Sequence, residues 1–257
     1  MERRSISLER RSIRVNIQAM ADTSPPAQRR DQALSRDRIV ATAVALLDSR
    51  GESGLTFRAL SERLATGPGA IYGHIANKDD LLTAACDAVV AAALRPAAAG
   101  TAPVAPTPEH RIRAIALGMF DAIDRHPWVG AALSRGPGQL PGVRLLEALG
   151  GEVQALDVLP TAQWSTVLAL WSYILGVAGQ NAANARHGQT LGVDREAFLA
   201  SVATTWAALD PDAYPFTRGM AGALRCHDDL ADFLAGIDLI LGGIRLQKDI
   251  IPGPGSV

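Results

Sequence analysis

Three apolar stripes of helical period and unequal length follow one another between Ser35 and Leu82, with only a few residues between them, and few folds accommodate that spacing. In the first stripe Ile39, Ala43, Leu46 and Leu47 share one face, while Arg36, Asp37, Arg38, Asp48 and Arg50 are polar. Ser35 suits the start of this helix and Gly51 its end. A second, shorter helix follows Thr56, a good N-cap, with Leu60 and Leu64 turned inward. Ala65-Thr66-Gly67 reads as a tight turn, and a third short helix begins near Pro68 and carries Ile71, Tyr72 and Ile75. Asn77-Lys78-Asp79-Asp80 then opens a longer helix running to about Leu94.

Two short helices joined by a tight turn and braced by a longer one make a helix-turn-helix. Its second helix has to be short and protruding to enter a DNA major groove about 12 Å wide, yet it needs apolar anchors on its inner side. Ile71 and Ile75 are those anchors, which leaves Pro68, Gly69, Ala70, Gly73 and His74 facing outward. Side chains this small let the backbone approach DNA closely but offer almost no bidentate reading of bases. Specificity then leans on Thr56 and Arg58 of the preceding helix, on methyl contacts from Ala70 and on DNA shape. Lys78 is unusual, because a cation in the first turn of a helix opposes the helix dipole. A phosphate bound there by the ammonium and the exposed N–H groups accounts for it; a merely solvated lysine is the plainer alternative. Tyr72 and His74 are placed to donate to the same backbone, or to serve only as half-buried packing residues.

Net charge is −1, so any DNA binding comes from a local patch and not from a basic coat. Only two of the 25 lysine and arginine residues are lysine, a bias that fits a GC-rich genome better than a binding requirement. Residues 1–33 hold seven arginines, four acids and Pro25-Pro26, and read as a disordered basic arm able to follow DNA phosphates; Met20 offers an alternative start. Residues 34–95 form the helix-turn-helix unit. Residues 96–108 carry four prolines and no charge and read as a linker. The segment 108–250 is helical again, at 109–125, 127–134, 142–157, 161–187, 194–209, 216–223 and 228–248. No segment alternates with period two, so the expected fold class is all-α, with a small N-terminal and a larger C-terminal unit.

The run LSRDRIVATAVALLDSRGESGLTFRALSERLATGPGAIYGHIANKDDLL, about Leu34 to Leu82, resembles the DNA-binding domain of TetR-family transcriptional regulators. Its specific features are the Gly-Leu-Thr entry, the two-helix unit, Ile-Tyr-x-His, and Asn-Lys followed by acids. The resemblance implies that Thr56, Arg58, Tyr72, His74 and Lys78 occupy DNA-contacting positions. Two residues depart from the pattern. Ala65 stands where the turn usually has glycine, with Gly67 as a nearby source of backbone freedom. Gly73 stands where a bulkier groove residue is common. The C-terminal segment more loosely resembles the effector-binding and dimerisation domain of the tetracycline-repressor branch, through His126-Pro127-Trp128, the Leu-Glu-Ala-Leu at 146–149 and Tyr173-Ile-Leu-Gly176.

In the helices 161–187 and 228–248 apolar residues occupy more than one side, so each is buried on more than one side. Trp164, Leu168, Trp171 and Leu175 on the first, with Phe233, Leu234, Ile237 and Leu241 on the second, are the expected homodimer contacts; a place in the subunit's own core is the alternative. An effector pocket is expected between the helices of 109–187, walled by Met119, Phe120, Trp128 and Trp171, with His126, Gln180, Asn181 and Asn184 as polar anchors. For each aromatic, ordinary core packing is the competing role.

Other classes find little support. No GxSxG, P-loop, HExxH or post-strand GxGxxG is present, and the five histidines, His74, His110, His126, His187 and His227, lack metal-ligand spacing. Cys86 and Cys226 stand alone, which argues for a reducing compartment and against a structural zinc. The longest apolar run, Val167 to Ala178, falls short of the ~20 residues a bilayer span needs. The expectation is therefore a cytoplasmic, non-enzymatic, dimeric repressor with no cofactor, whose partners are a double-stranded DNA operator and a small-molecule effector. The alternatives are an all-α small-molecule-binding protein with a non-functional helix-turn-helix, and an activator or ligand-independent regulator.

Overall fold

The computed structural model describes residues 34–95, 106–136 and 138–250. The arm expected at 1–33 and most of the linker expected at 96–108 lie outside them. Among the described residues there are eleven helices and no strand. They are α1 (Arg36–Gly54), α2 (Phe57–Leu64), α3 (Pro68–Tyr72), α4 (Lys78–Ala93), α5 (Pro108–Arg125), α6 (Trp128–Arg135), α7 (Leu140–Ala155), α8 (Pro160–Leu191), α9 (Arg195–Ala207), α10 (Pro215–Leu224) and α11 (Asp229–Ile250).

Side-chain caps explain most of the starts. Ser35 accepts from the Arg38 N–H, Thr56 from Ala59, Asn77 from Asp80, Thr107 from His110 and Asp194 from Ala197. Asp228 accepts from both Leu230 and Ala231 at the head of α11. The helix expected from residue 142 begins two residues earlier because Pro141, which lacks an N–H, fits the first turn of α7. Gly51 interrupts α1 with φ 64°, and one further turn continues to Gly54.

One hydrophobic core runs from Ile39 to Ile244 and passes through both expected units. The helix α4 joins them: it packs on α1 on one side and on α5, α6 and α7 on the other, and its Leu81, Ala85, Cys86, Val89 and Val90 all belong to the common core. Its end crosses α5 so closely that a Cβ on Gly118 would lie 2.3 Å from the Ala93 carbonyl oxygen. In the larger unit α8 packs on α5, α7 and α11, and α5 packs in turn on α7 and α11. Arg111 with Glu152 ties α5 to α7, and Arg113 with Asp238 ties α5 to α11. Tyr173 of α8 brings its hydroxyl end against Gly236 of α11, where a Cβ would collide with it, stacks on Phe233 and donates its hydroxyl to the Phe233 carbonyl at 3.1 Å. Burial, with Asp232 nearby, raises the pKa of that phenol and keeps it a donor. α9 and α10 pack mainly against each other, and Arg195 pins the pair to α11 through the Asp229 carboxylate and the His227 carbonyl.

Candidate nucleic-acid interface and its link to the larger unit

The turn between α2 and α3 is built by sequence constraints that act in order. Pro68 is the first residue of α3, and a residue before proline is driven out of the α region. Gly67 accordingly takes φ −77°, ψ 149°, so it does not supply the left-handed step that its position suggested. Ala65 supplies it instead, at φ 52°, ψ 45°. Its N–H reaches the Glu62 carbonyl, and that of Thr66 reaches Ser61, closing α2 in a Schellman-type end.

α3 is thereby presented edge-outward. Ile71 and Ile75 are fully buried, whereas Pro68, Gly69, Ala70, Tyr72, Gly73 and His74 are exposed. Tyr72 is 55% exposed and stacks on Phe57 with ring centroids 4.5 Å apart, which fixes its hydroxyl end toward solvent. Thr56 is exposed with its side chain committed to the α2 cap, and Arg58 is 90% exposed and paired with Glu62 one turn on. These residues form one continuous outer edge along α2 and α3.

Lys78 has a partner that the sequence did not reveal. Its ammonium donates to the Glu52 carbonyl at 2.8 Å, so it satisfies an end group of α1 while remaining exposed at the foot of α4. Arg36, not singled out from sequence, donates to the His74 carbonyl at 2.8 Å and reaches Asp80 at 3.4 Å. Asp80 also accepts from the Ala76 N–H. The segment after α3 is thus held by both α1 and α4.

The residues expected around an effector divide between two places. Met119 is fully buried on α5; Phe120 packs on Phe233 at 4.7 Å; Trp171 and Asn181 are half-buried on α8; Gln180 and Asn184 are exposed. His126 and Trp128 turn instead toward the N-terminal unit: His126 Nδ1 and Trp128 Nε1 each lie 2.8 Å from the same oxygen of Asp48 on α1. Three more polar pairs cross this junction, Arg135 to Glu52 at 2.6 Å, Thr83 to Gln139 at 3.0 Å, and Arg144 to Asp87 through two bonds of 2.8 and 3.1 Å. Asp48 was missed because its partners lie 78 and 80 residues away.

The expected dimer residues also separate. Trp164 and Leu168 are exposed, Trp171, Leu175 and Leu234 are half-buried, and Phe233, Ile237 and Leu241 face the subunit's own core. The outward apolar side chains of α11 are Leu230, Leu239 and Leu246.

The described residues, helical throughout, hold a short, exposed helix at the end of a helix-turn-helix and join it to a larger helical unit, the build of a DNA-binding transcriptional regulator. Residues 39–85 match the family model described as "Bacterial regulatory proteins, tetR family". The TetR transcriptional regulator SCO7222 of Streptomyces coelicolor is 51% identical, with a TM-score of 0.74, over 82% of this chain and 98% of that one. The HTH-type transcriptional repressor DrrR1 of Streptomyces coeruleorubidus is 26% identical over 86% of this chain and 81% of its own. An HTH-type transcriptional regulator of Saccharopolyspora erythraea is 35% identical, but the match spans only 40% of this chain and 42% of that protein. The chain belongs to the TetR family.

Among the described residues no helix is long and apolar enough to cross a membrane, and no group of three or more His, Cys, Asp or Glu side chains is arranged to hold a metal ion.

Proposed function

We propose that the protein is a homodimeric repressor of the cytoplasm that binds a double-stranded operator and leaves it when a small molecule occupies the C-terminal unit. The observation that carries this reading is the outer edge of α2 and α3, where two buried isoleucines hold a five-residue helix whose other side is open. Residues 34–95 are the DNA-binding unit and 108–250 the effector and dimer unit. Ala70 and the two glycines allow close approach to the groove, Thr56 and Arg58 extend along it, and Tyr72, His74 and Lys78 reach the phosphates on either side. Effector binding among α5 and α8, near Phe120, Trp171 and Asn181, acts by preferring the conformer whose two recognition helices no longer match half-sites about 34–36 Å apart. The five polar pairs at the junction, two of them sharing Asp48, are the route by which a change in one unit is felt in the other.

The test is fluorescence anisotropy with a duplex from the gene's own upstream region at two salt concentrations, against a scrambled duplex. Preferential retention with a steep salt slope is the expected result. Weak binding that ignores both sequence and salt would leave a helical small-molecule binder in place of a regulator.

A further inference from the structure

The junction between the two units holds an open-sided cavity of about 240 Å³, distinct from the region assigned above to an effector. It lies between the last turn of α1, the first turns of α4 and the end of α6. Leu82, Cys86 and Ala132 make its apolar wall. Cys86 is buried there, and burial, reinforced by the neighbouring Asp87 carboxylate, pushes its thiol up to about 12, so the sulfur serves as a polarisable surface and not as a nucleophile. Gln139 lies across Gly136, where a Cβ would meet its side-chain amide at 2.7 Å, and its oxygen accepts from Thr83. That bond engages the amide oxygen and leaves its N–H groups available at the rim.

Charge selects the occupant. Two carboxylates, Glu52 and Asp79, and one guanidinium, Arg135, line the cavity, and the guanidinium is already engaged by Glu52. With Arg135 on the Glu52 carboxylate and the Lys78 ammonium on the Glu52 carbonyl, Asp79 is the lining carboxylate left for an occupant, beside an apolar wall. The volume is below the ~300 Å³ at which drug-sized sites begin, room for a single ring with one short polar group. We propose that this junction cavity binds a small organic cation, an amidinium or ammonium on a flat apolar ring, with the ring against Leu82, Cys86 and Ala132 and the charge on Asp79 and Glu52. A cation there competes with Arg135 for Glu52, and the Arg135–Glu52 bond is one of the links holding α6 to α1. Occupancy then loosens the frame of α3 from a second place, and DNA in turn weakens the cation by the same factor. This consequence for DNA rests on the regulator reading; the binding itself does not.

Benzamidine and its uncharged counterpart of the same shape, benzamide, are suitable probes, titrated calorimetrically into the full-length protein. The expected result is one benzamidine per chain, bound at least tenfold more tightly than benzamide. Asp79→Asn, at an exposed position, should abolish that preference, and Ala132→Leu, which fills the apolar wall, should weaken both compounds. Equal affinity for the two probes, no binding of benzamidine, or a cation preference retained in Asp79→Asn would each overturn the proposal. In a parallel anisotropy measurement benzamidine should release the upstream duplex. A protein that never retains that duplex, probe or no probe, tells against the regulator reading; a protein that retains it yet shows no cation preference tells against the junction site alone.

Discussion

Ala65 carries a backbone conformation that costs an L-residue with a Cβ about 1–2 kcal/mol, because the Cβ crowds the following carbonyl. Part of any gain from removing that Cβ is returned as the greater freedom of glycine in the unfolded chain. Ala65→Gly should therefore stabilise the protein by about 0.5–1 kcal/mol, read as a higher urea midpoint with an unchanged slope. An unchanged or lowered midpoint would mean that the turn is not strained. The position of the turn was legible in sequence, but the residue bearing the positive φ was not. Glycine at 67 drew attention by its type, whereas the proline behind it had already fixed Gly67 as extended. Lys78 yields a second prediction at this scale. Its ammonium spends one of three N–H donors on a carbonyl, so tethering α1 and contacting a phosphate are compatible. Lys78→Ala should weaken binding to all duplexes alike and reduce the salt slope by about 1. A slope that does not move would leave Lys78 as a tether only.

Among the elements, α1 was easiest to read and its outer end hardest to interpret. Caps and spacing locate it, yet nothing local shows that Asp48 is the shared acceptor for two groups that approach from the start of α6. Trp128 is buried, so removing its acceptor strands an indole N–H, at a cost of about 1–3 kcal/mol. Asp48→Ala should lower the urea midpoint accordingly and also blunt the effect of any effector on DNA affinity, since two of the five junction pairs are gone. If stability falls while the response to effector is unchanged, the link is structural without being part of the coupling. The α9–α10 pair makes the opposite case. Only Ala203 and Ala221 are buried along it, while Phe198, Tyr214, Phe216 and Met220 are exposed. With so little apolar area sequestered, its amides should exchange with solvent well before those of α5 and α8, a difference that hydrogen–deuterium exchange on the full chain resolves. Protection equal to that of α5 would show that another surface covers the pair in solution.

For the whole molecule the proposed homodimer raises the question of which faces of α8 and α11 would meet a second copy. Periodicity cannot decide this, because a helix apolar on two sides gives the same spacing whichever side is turned inward. Packing decides it for one side: Phe233, Ile237 and Leu241 are spent within the subunit, and the outward row on α11 is Leu239 and Leu246, with Gly242 and Gly243 between them. On α8 the corresponding row is Trp164 and Leu168, bordered by Ser165, Ala169 and Ser172. Leu239 is 78% and Trp164 62% exposed, large apolar side chains flanked by small residues that allow two helices to approach closely. A substitution in each row of α11 separates the two roles. Leu239→Glu should leave the helical content intact and give monomers by light scattering, because it charges a surface that the isolated subunit does not need. With one recognition helix per particle, its affinity for the upstream duplex should fall by about a hundredfold or more. Ile237→Glu should instead lose the folded state itself, since it places a charge in the core. A Leu239→Glu protein that remains dimeric would move the association surface off this face of α11. A folded, monomeric Ile237→Glu protein would show that the inner row, and not the outer one, holds the two copies together.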